Sequence, residues 1–243
     1  MLRCFHCAFV ALVILCTKSA LAATIDFGTL QHIIDHGNSI TLGDKQFSDF
    51  VLTRSSFASP GATATAPTAS QIEVQGEISG DFYKITFTNF TLQAATTAAG
   101  QRAQADLTIM FDVAVTDPLR GIDKVALDIT AVNTGLGHSL LDESIIGPTS
   151  TAALHANETT PSVNTAVAQT RTLHIIKDAN VLAVGRSATP AANATITEIS
   201  QTFHQFGPHH PPPPVPEPAS IVMWTLVAFV SGMAIRRGQT TRA

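Results

Sequence analysis

The chain is short of cysteine, of aromatic rings other than phenylalanine and of charge, and each shortage removes a class of protein. Only three of its 243 residues are cysteines, and all of them, Cys4, Cys7 and Cys16, lie at the N-terminal end. No disulfide framework can be built from the residues that follow. The Cys4-x-x-Cys7 spacing suits a metal or redox pair, but it heads a segment that reads as a leader to be removed. One tyrosine, Tyr83, and one tryptophan, Trp224, leave no bank of exposed rings of the kind that stacks on sugars. Between residues 24 and 215, nine Lys and Arg stand against seventeen Asp and Glu, an excess of eight negative charges. An acidic surface repels phosphate, so no nucleic-acid partner is expected. Catalytic signatures are missing as well: there is no Gly-x-Ser-x-Gly elbow, no phosphate loop and no Gly-x-Gly-x-x-Gly turn. The expectation is a non-enzyme with no cofactor, no metal and no catalytic residue.

What is present begins with the two ends. Arg3 precedes a compact apolar run, Ala8 to Cys16, and Ala20-Leu21-Ala22 offers small residues at the two positions a signal peptidase reads, Ala20 and Ala22. Residues 1–23 are therefore expected to be a signal peptide, which makes signal peptidase and the secretion machinery partners. That apolar run is too short for a membrane anchor, which needs about 17 or more residues. At the other end, residues 208–214, Pro-His-His-Pro-Pro-Pro-Pro, form a tract that cannot join a sheet and is expected to be a stiff linker. Val215-Pro216-Glu217-Pro218 follows, then an apolar run ending at Ile235, then Arg236 and Arg237. Counted over 219–235 that run just reaches the ~17 residues a bilayer demands, so a single transmembrane helix in the inner membrane is expected. The arginines beyond it would hold residues 239–243 in the cytoplasm.

The order of Pro216, Glu217 and Pro218, a short hydrophobic span, and Arg236 and Arg237 resembles the PEP-CTERM sorting signal of bacteria that make extracellular polysaccharide. The resemblance covers residues 215–238 and implies a membrane protease-transpeptidase, an exosortase, as a partner that recognises Pro216, Glu217 and Pro218. It implies delivery of an exported, membrane-anchored chain to the cell surface or extracellular matrix, with exopolysaccharide as a further partner. The segments Gly43-Asp44-Lys45-Gln46-Phe47-Ser48-Asp49-Phe50, Val115-Thr116-Asp117-Pro118, Leu173-His174-Ile175-Ile176-Lys177-Asp178 and Gln201-Thr202-Phe203 are similar, more loosely, to ectodomains of that group, which has no assigned activity.

Residues 24–207 carry a period-two pattern, the mark of strands with one buried face. Leu107, Ile109, Phe111, Val113 and Val115 point one way, and Val125, Leu127, Ile129 and Ala131 resume the pattern after Asp117-Pro118-Leu119-Arg120-Gly121. This predicts an antiparallel hairpin. Further strands are expected over 45–52, 71–78, 82–92 with a bulge near Asn89, 172–176, 181–184 and 195–203. Residues 55–70 and 154–170, rich in Ala, Thr, Ser and Pro, are expected to be exposed loops. Eight short strands and no long amphipathic helix predict an all-β fold, a β-sandwich of immunoglobulin-like or similar antiparallel type.

Two arrangements within residues 24–207 have the residue types of a metal site. His32 and His36 have the spacing of zinc ligands on one helical face, but Gly37 ends any helix at once and no glutamate adjoins the first histidine, so they are expected to be solvent-exposed. Asp112, Asp117, Asp123 and Asp128 flank the expected hairpin and could hold calcium at its turn, although alternation alone puts aspartates on a wet face. The reading that follows is an exported structural or adhesive protein of the cell surface or exopolysaccharide matrix. Its alternatives are a secreted carbohydrate-binding module or a polysaccharide-acting hydrolase, the latter requiring two carboxylates about 5 to 10 Å apart across a cleft.

Overall fold

The structure, a computed structural model, describes residues 23–207. Residues 1–22 of the expected signal peptide, the linker, the Pro-Glu-Pro motif and the C-terminal span lie outside the described residues. Among those described, no helix is long and apolar enough to cross a membrane.

In chain order the elements are β1 (Ala23–Thr29), α1 (Leu30–Asp35), β2 (Ser39–Leu42), β3 (Lys45–Ala58), β4 (Thr63–Thr65), a 3-10 turn (Ala69–Gln71), β5 (Glu73–Ser79), β6 (Phe82–Thr88) and β7 (Leu92–Thr96). There follow β8 (Arg102–Val115), β9 (Gly121–Thr134), β10 (Gly137–Ile146), β11 (Thr151–Asn157), β12 (Ser162–Thr170), β13 (Thr172–Val184) and β14 (Ala192–Phe206). They form two antiparallel sheets. In one, β14 pairs along one edge with β6 and β7, which continue to β5, β1 and β4, and along its other edge with β9, which pairs β12. The second runs β11-β10-β13-β8-β3-β2.

The last eight strands have a nested order. Working outward, β10 pairs β11, β9 pairs β12, β8 pairs β13 and β7 pairs β14, all antiparallel. Successive pairs alternate between the two sheets, as they do when one long hairpin is rolled around a core, and that connectivity is a jelly roll. The all-β sandwich is thus present, with jelly-roll strand order in place of the immunoglobulin one.

The core forms because inward positions recur at every second residue on both sheets. Phe111 is fully buried and meets Phe50, Phe87 and Phe47 at centroid distances of 5.5, 5.9 and 6.1 Å, so one ring on β8 ties together β3 and the facing β6. Burying such a ring stabilises by roughly 1.5–3 kcal/mol.

The expected β8–β9 hairpin is not formed. The two strands belong to opposite sheets, and residues 116–120 arch between them, with Asp117 Oδ1 accepting from Leu119 N at 2.9 Å. Both arrangements bury one face of each strand, so alternation cannot tell them apart. The expected loop 55–70 contains the end of β3, β4 and the 3-10 turn, while 154–170 holds most of β11 and all of β12. Their weak periodicity reflects edge positions, where few side chains face the core. Residues 172–176 and 181–184 prove to be one continuous strand. Near Asn89 the expected irregularity is present: Asn89 adopts φ 59°, the strand breaks into β6 and β7, and both phases, Tyr83-Ile85-Phe87 and Phe90-Leu92, end up buried.

Candidate functional site

Two clusters of chemistry-bearing residues lie between the sheets of the sandwich. On β13 the inward positions are Leu173, Ile175, Lys177, Ala179, Val181 and Ala183, so strict alternation drives a lysine into the core. Directly opposite Lys177 on β10 stands Glu143, inward between Leu141 and Ile145. From the other sheet β14 contributes Gln201, inward because a register shift between Ile196 and Glu198 moves the buried phase to Ile199, Gln201, Phe203 and Gln205.

The three side chains meet in a place sealed from water: Lys177 and Gln201 are 0% exposed and Glu143 is 1% exposed. Lys177 Nζ donates to Glu143 Oε2 and to Gln201 Oε1. The remaining polar atoms, Glu143 Oε1 and Gln201 Nε2, are buried with no hydrogen-bond partner. Burial lowers the Lys177 pKa from its ordinary value despite the opposing attraction of the Glu143 carboxylate. A buried ion pair repays its desolvation only when every lone pair and proton is matched, and here two are not.

A second cluster repeats the chemistry further along β14. Gly43, at φ 61°, forms the turn between β2 and β3, and its missing side chain leaves room for the Tyr83 ring, 2.8 Å from where a Cβ would sit. That turn presents Asp44 and Lys45. Lys45, 0% exposed, donates to Asp44 Oδ1 at 2.6 Å and to Gln205 Oε1 at 2.5 Å, while Gln205 Nε2 donates to Asp44 Oδ2 at 2.7 Å. The ammonium sits 3.9 Å from the Tyr83 ring centroid, a cation–π contact. Burial pulls the Asp44 pKa upward, but hydrogen bonds from Lys45, Gln205 and Tyr83 and the lysine charge together hold it below the usual carboxylate range. Burial lowers Lys45, and burial with the Asp44 charge pushes Tyr83 up to about 12.

Each cluster joins an amine, a carboxyl group and a carboxamide, and each bridges the two sheets, from β13 or β3 to β14. They share β14 with Phe203, which lies between the two glutamines and packs on Phe47 at 5.7 Å. None of the amine, acid and amide residues of the two clusters was singled out as a site from the sequence, although Asp44, Lys45, Lys177 and Gln201 fall within the quoted ectodomain segments. The available signal was a charged or amide residue in phase with apolar neighbours: Lys177 between Ile175 and Ala179, Glu143 between Leu141 and Ile145, Gln201 beside Phe203.

The residues picked out from the sequence fall elsewhere. His32 and His36 lie on and just after α1, both exposed, with ring centroids 4.1 Å apart. The four aspartates are not brought together. Asp112 is on the second sheet, 2.5 Å from His174 Nδ1; Asp123 is on the first, 2.6 Å from His204 Nδ1; Asp117 caps its turn and lies 3.4 Å from Arg120 Nε. Among the described residues no group of three or more His, Cys, Asp or Glu could hold a metal ion. Ser48, Asp112 and His174 form one row across β3, β8 and β13, lining a surface depression. Asp112 sits in the middle of that row, where a serine relay requires the histidine. Tyr83 is buried and offers no platform for a sugar. Ala20, Ala22, Pro216, Glu217, Pro218, Arg236 and Arg237 lie outside the described residues.

No protein-family model and no curated protein matches this chain. Among solved structures, that of TmCBM61 in complex with beta-1,4-galactotriose is similar with a TM-score of 0.25 and 8% identity, over 64% of this chain and 88% of that one. At that score the likeness bears on neither ligand nor activity.

Proposed function

We propose that this chain is an exported structural or adhesive protein of a bacterial cell surface or exopolysaccharide matrix, sorted and trimmed at its C-terminus by an exosortase. The observation that carries this reading is the C-terminal sequence itself: Pro216, Glu217 and Pro218, an apolar span, and Arg236 with Arg237, following a proline tract. The signal peptide and the transmembrane helix are parts of the same proposal. A sandwich whose polar chemistry is spent on joining its two sheets suits a load-bearing role. In that role β14, which ends at Phe206 just before the proline tract at 208–214, is the strand through which any pull from the tail enters.

Fractionation of cells carrying the wild type and Glu217→Ala tests it. The wild type is expected to lose its C-terminal span and leave the inner membrane, and the variant to remain there uncut. Full-length, membrane-bound protein in both strains would reduce the tail to a plain anchor and remove exosortase as a partner.

A further inference from the structure

Lys177 and Gln201 occupy the position of two reactants. The amine touches the carbonyl oxygen of the side-chain amide, and Glu143 touches the amine. All three are held on neighbouring or facing strands of a rigid core. Fixing reacting groups in this way removes the entropy of bringing them together, which for well-oriented pairs reaches effective molarities of about 10⁵ M or more. Water, the usual competitor for an acyl carbon, is excluded.

We propose that Lys177 and Gln201 become joined by an intramolecular amide bond, with Glu143 as the proton carrier, and that Lys45 and Gln205 do the same with Asp44. In the dry core, transfer of a proton from the Lys177 ammonium to Glu143 removes two opposite charges at once, leaving a neutral, nucleophilic amine. Nζ then attacks Cδ of Gln201, and the protonated Glu143 stabilises the oxygen as it gains charge. The Nζ–Cδ bond forms and the Cδ–Nε2 bond breaks; of the two protons the ammonium sheds, the first stays on Glu143 and the second passes to Nε2 on the same tetrahedral carbon, and Nε2 departs as ammonia. Nothing is oxidised or reduced, and no co-reactant is needed. The orphaned Gln201 Nε2 is the atom that leaves, so the reaction removes an unsatisfied buried group as it makes the bond. In the second cluster Asp44 contacts both the amine of Lys45 and the leaving nitrogen of Gln205, the two places between which a proton must travel.

Both bonds end on β14 and cross to the opposite sheet, at β13 and at β3. They would make it impossible to peel β14 away without breaking covalent bonds. This deepens the load-bearing reading but does not depend on where the chain is delivered, since its readout is a cross-linked peptide and not a location.

The test is peptide mass spectrometry on the full-length chain made in cells, denatured and digested with trypsin plus a second protease. The expected result is a Lys177 peptide covalently attached to a Gln201 peptide at the mass of the two less one ammonia, with no tryptic cleavage after Lys177, and likewise for Lys45 with Gln205. Glu143→Gln, which keeps the shape but cannot carry the proton, is expected to give free peptides at the first site while the second stays linked; Asp44→Asn is expected to do the reverse. Circular dichroism shows that each variant is folded, and the wild-type digest decides the matter even if a variant is not. Free Lys177 and an unmodified Gln201 in folded wild type would overturn the first bond, and free Lys45 with unmodified Gln205 the second. Linked peptides persisting in folded Glu143→Gln would overturn the role of Glu143.

Discussion

At the scale of single residues, burial decides the chemistry more than proximity does. Lys45 and Lys177 each touch a carboxylate, which favours the ammonium, yet both have pKa values below the ordinary lysine value because desolvation outweighs the pairing. Tyr83 shows the same force from the other side, and as the only tyrosine it can be followed by its own ultraviolet absorbance. Its phenol is held neutral by burial and by Asp44, so its titration midpoint is expected near pH 12 in the folded chain, against 10 when unfolded. Because the folded value is raised, the contribution of Tyr83 to stability is complete below pH 10 and is lost as pH rises toward 12. In Asp44→Asn the midpoint is expected to fall toward 10 without reaching it, since the burial remains. A folded wild type titrating at 10 would refute the arrangement.

At the scale of elements, close backbone approach governs what a strand tolerates. β10 begins at Gly137, where an added Cβ would lie 2.0 Å from the carbonyl oxygen of Asn193 on β14, in the facing sheet. A side chain there must push β10 from β14, so Gly137→Ala is expected to destabilise by about 1–3 kcal/mol, read as a lower midpoint in urea. An unchanged midpoint would mean the two strands are further apart. The strands themselves were largely legible beforehand. The inward phases of β8 and β9 were readable from Leu107 to Val115 and from Val125 to Ile129, because both strands are long and alternate strictly over those stretches. The edge strands β11 and β12 were not, because strands with few core-facing residues leave little pattern. Nor was the pairing of β8 with β13: the arch at 116–120 and a hairpin turn demand the same polar, proline-containing sequence.

At the scale of the whole molecule, the two sheets share one core and should unfold together. Phe111 joins β8 to Phe47 and Phe50 on β3 and to Phe87 across the interface. Phe111→Ala is expected to cost about 3–5 kcal/mol. It should shift one coincident transition, measured by far-ultraviolet dichroism and by Tyr83 fluorescence. Two separated transitions would show that the sheets are energetically independent. The proposed cross-links act at the same scale. A bond between Lys45 and Gln205, 160 residues apart, closes a very long loop in the unfolded chain. On the loop-entropy account developed for disulfides this is worth roughly 5 kcal/mol.

The sequence by itself determined that residues 24–207 are antiparallel β structure with no cysteine to pair, and it supplied the terminal motifs on which the delivery proposal rests, because period-two alternation, cysteine positions and short linear signals are local properties. The tertiary structure alone decided the jelly-roll order and the two Lys–carboxyl–Gln clusters. Glu143, Lys177 and Gln201 come from three strands far apart in the chain, and Gln205 lies 160 residues from Lys45, whose neighbour is Asp44. Only the register of β10, β13, β3 and β14, set by the packing of two whole sheets, brings an amine, an acid and an amide into contact twice, the first time fully away from water.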